Sequence, residues 1–218
     1  MPDDCLGLFA KYWQPGRVKT RLAETLGAEQ AAAAYQAFVR ALVERLASSG
    51  DDRILAFAPA DRHSEFEQLS LDAWRLEPQA TGDLGQRMEA FFRHRLREGC
   101  QRAVLLGTDS PNVPLAHIDQ AFEELHSANV VLGPSEDGGY YLVGISGKVP
   151  PIFTQVPWST PDVWQSTVEL LQSAKIHFST LPTWYDVDNS ADYERLVSEL
   201  QRTAGHELVL DRLLTALR

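Results

Sequence analysis

Residues 103–107, A-V-L-L-G, are apolar without interruption. A run of strand length with no polar alternation fits a strand covered on both faces, the habit of parallel sheets. Short apolar runs of the same kind recur at 5–10, 53–58, 130–133, 140–145 and 176–181, with W-R-L-E at 74–77 between two of them. Stretches of helical period separate them. In 29–46, Ala31, Ala34, Tyr35, Phe38, Leu42 and Leu46 share a face; in 82–98, Leu84, Met88, Phe91, Phe92 and Leu96 do so, and Gly99 ends the run. Further helices are expected over a short polar stretch near 61–70, from Pro114 to about Ser127, and near 161–174, 190–203 and 207–217. Strands alternating with helices predict an α/β fold, a three-layer α/β/α sandwich on a mainly parallel sheet. We expect one domain over 1–203. The amphipathic end, 204–218, is expected to form a helical arm that packs on the body or on a second subunit of a homodimer.

The chain has 218 residues, a formal charge of −10 and 44% hydrophobic side chains. That much apolar surface excludes disorder as the main state, and the negative charge argues against nucleic acid and anionic membrane as partners. No apolar run approaches the roughly 20 residues of a spanning helix, and the start, M-P-D-D-C, is acidic where a signal peptide is basic, so a cytoplasmic protein is expected. Cys5 and Cys100 stand far apart with no Cys/His cluster, so neither a disulfide framework nor a thiolate zinc site is indicated.

Against this acidic background residues 11–21, K-Y-W-Q-P-G-R-V-K-T-R, hold Lys11, Arg17, Lys19 and Arg21 and no acid, where the composition predicts about one basic residue. The run follows the first strand and carries a Pro15-Gly16 turn, so it lies where parallel sheets bind ligands, and it reads as a phosphate cradle. It contains neither a Walker A loop nor G-x-G-x-x-G. G-T-D-S-P at 107–111 places Asp109 at the end of the buried strand, where a carboxylate beside a phosphate holds a hard divalent cation; a cap for the next helix is the competing account, and the stronger one for Ser110. In G-P-S-E-D-G-G-Y-Y-L-V-G at 133–144, Asp137 either orients or deprotonates an acceptor or belongs to a simple hairpin turn. In W-Y-D-V-D-N at 184–189, Asp186 and Asp188 share a face if extended, and one of them with Asp109 would satisfy magnesium; capping by Asp188, Asn189 or Ser190 is the alternative.

Six stretches in this order, P-G-R-V-K-T-R-L at 15–22, G-D-L-G-Q-R-M at 82–88, G-T-D-S-P at 107–111, D-G-G-Y-Y-L-V-G at 137–144, W-S-T at 158–160 and D-V-D-N-S-A-D-Y at 186–193, resemble the nucleotide-diphospho-sugar transferase superfamily with the GT-A fold. Within it the chain is most similar to the DUF2064 group of glycosyltransferase-like proteins. The resemblance implies that Gly16, Arg17, Lys19 and Arg21 hold the phosphates of a nucleotide, that Gln79, Gly82 and Gly85 face its base, and that Asp109 and Asp186 bind Mg²⁺ or Mn²⁺. The D-x-D of many glycosyltransferases is reduced here to D-S-P.

Two reactions follow from the resemblance. In glycosyl transfer a nucleotide sugar donates to a small-molecule acceptor, with Lys19, Arg21 and Asp109 at the leaving group, Asp137 as the base of an inverting enzyme and Trp158, Ser159 and Thr160 near the acceptor. In nucleotidyl transfer an NTP is attacked by a phosphorylated small molecule and pyrophosphate leaves; K-T-R-L-A at 19–23 resembles the K-S-R-L-A of guanylyltransferases acting on phospholactate. Arg87 and Arg93 are expected as solvated or ion-paired side chains. Trp13 is expected either over a base or as an anchor of the loop.

Overall fold

The computed structural model describes residues 2–69 and 72–218. Seven strands among them form one sheet: β1 (Asp4–Lys11), β2 (Asp52–Ala58), β3 (Arg75–Pro78), β4 (Arg102–Gly107), β5 (Val130–Pro134), β6 (Tyr140–Ser146) and β7 (Phe178–Thr180), in the order β3-β2-β1-β4-β6-β5-β7. Every pairing is parallel except the two made by β6, which runs against β4 and β5. In register Leu8 lies opposite Leu55 and Leu106, and Leu106 opposite Leu142. Six strands thus end at one edge, and β6 begins there.

The uninterrupted apolar strands have the burial their sequence requires. Along β1, Leu6, Leu8 and Ala10 enter one core while Cys5 enters the other and Phe9 packs against it. The first core is covered by α2 (Ala28–Arg45), α5 (Leu115–Glu124), α7 (Ser190–Arg202) and α8 (Leu208–Ala216), with α1 (Thr20–Leu26) packed on α2 and α7; the second by α4 (Leu84–Arg97) and α6 (Val163–Ser173). This is the expected three-layer α/β/α sandwich with a mainly parallel sheet. Cys5 and Cys100 are free and buried, and burial pushes both thiols up. Among the described residues no helix is long and apolar enough to cross a membrane.

Two local differences from the sequence reading have physical causes. The helix expected over 29–46 forms as α2, but the basic run expected as a loop ends in a further helix, α1, whose first turn takes up its last residues and which Gly27, at φ 83°, separates from α2. The polar stretch near 61–70 forms a 3₁₀ turn at Ala60–Arg62 and a one-turn helix, α3 (His63–Glu67); residue 70 lies outside the described residues. Past α7 the chain folds back onto α2. Arg45 donates to Glu207 at 2.6 Å and to the Pro111 carbonyl at 2.8 Å, Arg212 pairs with Glu44, and the Tyr193 hydroxyl donates to the Leu217 carbonyl at 2.7 Å.

Candidate active site

The edge where the parallel strands end opens into a cleft of about 660 Å³. Of the residues singled out in the sequence, Arg17, Lys19, Arg21, Gln79, Asp109, Asp137 and Asp186 line it, with Trp158, Ser159 and Thr160 along one wall. Cations from the start of the chain therefore face carboxylates from its middle and end. Gly16, Gly82 and Gly85 shape the walls without lining them. Gly16 takes φ 74° in the exposed turn before Arg17, and the Gly82 carbonyl accepts from Arg87 Nε at 2.8 Å. Gly85 lets helix α4 close on its neighbour, since a Cβ there would stand 2.3 Å from the Phe153 carbonyl and 2.4 Å from Trp158 Nε1.

The basic loop divides its cations. Arg17 and Arg21 are exposed and have no carboxylate partner among the described residues. Lys19 turns inward. It caps α1 in a left-handed conformation, φ 46° and ψ 46°. Its side chain is only 3% exposed, and its Nζ contacts Asp109 and lies 2.9 Å from Asp188 Oδ1. Burial alone would disfavour the ammonium, but the two carboxylates outweigh it, so Lys19 stays charged with its pKa above the ordinary lysine value. Beneath it Tyr35 on α2 exchanges a 2.7 Å hydrogen bond with Thr108 and accepts from the Lys11 backbone N–H at 3.0 Å. Burial, then the Asp109 charge, push that phenol up to about 12, which keeps it neutral.

The acidic side is assembled by backbone. The Val187 N–H donates to the Asp109 carbonyl at 2.9 Å, which draws the 184–189 segment to the end of β4, and Ser110 Oγ donates to Asp186 Oδ1 at 2.6 Å. Neither Asp109 nor Ser110 caps the following helix, whose N-cap is Pro114 with no side-chain bond. Capping of α7 falls to Asn189, in a box with Asp192, which leaves Asp188 to meet Lys19. Burial first, and then the charges of Asp109 and Asp137, push the Asp186 carboxyl up to about 7, against smaller opposing effects of the Ser110 hydrogen bond and Lys19. The shift is chiefly that of a carboxyl taken out of water, with the neighbouring carboxylates adding to it.

Asp137 sits at the tip of the β5–β6 hairpin, so the turn reading and the cleft position both hold. Its Oδ1 accepts from Ser135 Oγ and, at 3.0 Å, from the Gly139 N–H. Gly138, at φ 92°, lets the tip meet the Pro161 carbonyl, which a Cβ would approach to 2.2 Å.

Several residues gain or lose importance once placed. Gln79 lines the cleft with its amide nitrogen already donated to the Ala10 and Ala56 carbonyls at 3.1 and 2.9 Å; the remaining oxygen lies 3.5 Å from Arg87 Nη1. Arg87 also lines the cleft, unlike Arg93, which pairs with Glu89 at 2.6 Å. Helix α4 is amphipathic, and which of its arginines faced the ligand edge depended on a rotation that periodicity gives only coarsely. Lys11, Tyr35, Thr108 and Ser135 line the cleft as well. Trp13 is an anchor, its ring edge-on to Phe66 at 5.0 Å and tilted against Tyr12 at 5.1 Å.

The model of the DUF2064 family, described as uncharacterized proteins conserved in bacteria, matches residues 41–160, more than half of the chain. The chain belongs to the DUF2064 family. No curated protein matches it. Among solved structures it is similar to a protein of Desulfovibrio desulfuricans G20 provisionally named a nucleotide-diphospho-sugar transferase, with 32% identity, 100% of this chain and 97% of that one covered, and a TM-score of 0.90. More distant likenesses show the fold alone. A cytidylyltransferase from Leptospira borgpetersenii aligns at 13% identity over 100% and 94% of the two chains, TM-score 0.60. A CMP:2-keto-3-deoxy-manno-octonic acid synthetase complexed with CTP aligns at 13% over 92% and 99%, TM-score 0.55. The fold of this DUF2064 chain is thus of the nucleotide-diphospho-sugar transferase type.

Proposed function

We propose that this DUF2064 protein is a nucleotide-dependent transferase that moves a sugar from a nucleotide sugar to a small-molecule acceptor. The observation that carries the reading is the opposition of charge in one cleft: Lys11, Arg17, Arg21 and Arg87 without carboxylate partners among the described residues, facing Asp109, Asp186 and Asp188. Arg17 and Arg21, planar and bidentate donors, bind the diphosphate and offset the charge that grows on it as the glycosidic bond breaks. The relative at 32% identity, by its name, supports the use of a nucleotide donor.

Among the described residues no three metal-ligating side chains form a ready-made site. Mg²⁺ or Mn²⁺ still fits, because such ions take one or two carboxylates and fill the remaining positions with phosphate oxygens and water. Asp109 and Asp186 line the same cleft, drawn together by the Val187 N–H bond to the Asp109 carbonyl and by the Ser110 hydrogen bond to Asp186. Asp109 and Asp186 would hold the ion, which supplies electrostatic stabilisation of the leaving phosphates. In this reading Asp137 receives the acceptor proton. Asp137→Asn then lowers turnover by about 10²-fold or more with donor affinity nearly intact, and unchanged turnover rejects the role.

One observation favours a second reaction, attack of a phosphorylated acceptor on the α-phosphate of an NTP. Asp137 Oδ1 is engaged in its own turn, and a phosphate nucleophile needs no carboxylate base. The released product decides between them: a nucleoside diphosphate marks glycosyl transfer, pyrophosphate marks nucleotidyl transfer.

A further inference from the structure

We propose that in the free protein the Lys19 ammonium holds the place of the divalent cation, so that metal and Lys19 compete for Asp109 and the metal enters only as the ammonium leaves. This proposal rests on the metal-assisted reading above and deepens it.

Lys19 was read from the sequence as one of three equivalent phosphate ligands, yet its geometry differs from that of Arg17 and Arg21. Its Nζ contacts Asp109, the proposed metal ligand, and reaches Asp188 at 2.9 Å. The ammonium stands against Asp109 where a cation would approach it, and its like charge opposes a divalent ion on the same carboxylate. The position also carries strain, because a non-glycine residue in the left-handed region persists only where its surroundings hold it. Here two carboxylates hold it, while the open side of the same cleft offers Arg17 and Arg21 as the other phosphate donors. A polyphosphate bound there gives the ammonium a new anionic partner at the moment it gives Asp109 to the metal. Metal and nucleotide would therefore enter as one cooperative unit, and the resting cleft would take up free divalent ions poorly.

The size of the effect follows from population arithmetic. If Lys19 leaves the carboxylates in about one molecule in ten, the apparent metal affinity of the resting protein is reduced about tenfold. The test measures Mn²⁺ binding by electron paramagnetic resonance without any nucleotide. Lys19→Met should bind Mn²⁺ about tenfold more tightly than the unaltered protein; equal or weaker binding overturns the proposal. A second measurement uses the unaltered protein and so does not depend on the variant folding. Acylation of lysines, followed by mass spectrometry, should modify exposed Lys148 and Lys175 readily and Lys19 slowly. Millimolar Mn²⁺ should raise the Lys19 rate several-fold and leave the two controls unchanged. A Lys19 rate that Mn²⁺ does not move also overturns the proposal. Neither measurement involves nucleotide, so failure of the transferase reading shows separately, as a panel of nucleotides and nucleotide sugars that raises the melting temperature of neither protein.

Discussion

Within one basic run, alternate residues treat positive charge in opposite ways. Arg17 and Arg21 stand in solvent at the rim of the cleft, whereas Lys19 is buried between Asp109 and Asp188. The side chains differ less than the backbone that carries them: the left-handed turn at Lys19 points its stem under the loop, and the start of α1 turns Arg21 back out. A basic run is therefore not one functional unit, and its members can be separated by what each costs when removed.

The largest effect should come from the residue that Lys19 and the proposed metal share. Asp109→Asn should reduce turnover by about 10³-fold or more, measured as product release at saturating donor; turnover within tenfold of the unaltered protein would remove Asp109 from the chemistry. Next comes Asp186. Its folded pKa of about 7 lies above the unfolded carboxylate value, so the protonated form is the stabilising one. That contribution is complete below about pH 4, and is lost as pH rises through about 7. Metal-free protein should thus lose stability between about pH 4 and 7, and Asp186→Asn should recover about 1–2 kcal/mol at pH 8 in denaturant unfolding. A variant whose pH profile runs parallel to that of the unaltered protein would contradict this.

Arg17→Gln and Arg21→Gln should each weaken nucleotide binding by about tenfold, read by calorimetry, while unfolding free energy moves by less than about 0.5 kcal/mol, because both are exposed and unpaired. If either lowers the unfolding free energy by more than about 1 kcal/mol, the division between rim and interior is false. The smallest effect belongs to the scaffold behind Asp188. Asn189→Ala removes the α7 cap and should cost about 1 kcal/mol of stability with little change in donor affinity.

The architecture was legible in the sequence because unbroken runs such as 103–107 admit few environments, and alternating element types then fix the layers. The cleft was partly legible, since strand ends in parallel sheets gather at one edge whatever the details. What the sequence could not reveal depended on single torsions and rotations. Nothing in the basic run showed that its end would start a separate helix, α1, and nothing in V-K-T-R marked the lysine as the one that turns inward. Arg87 and Arg93 have the same chemistry on the same helix and are distinguished only by which of them faces the strand ends. Asp188 and Asn189 competed for one cap, and the outcome decided which carboxylate met Lys19.

The single reversed strand has a consequence for how such a protein diversifies. The β5–β6 connection joins neighbouring strands directly, so its tip, 135–139, can lengthen, shorten or change composition without rerouting a crossover helix. The rim of the binding edge thus includes one modular segment, and exchanging that tip between relatives should alter which acceptor is taken while the donor half is left in place.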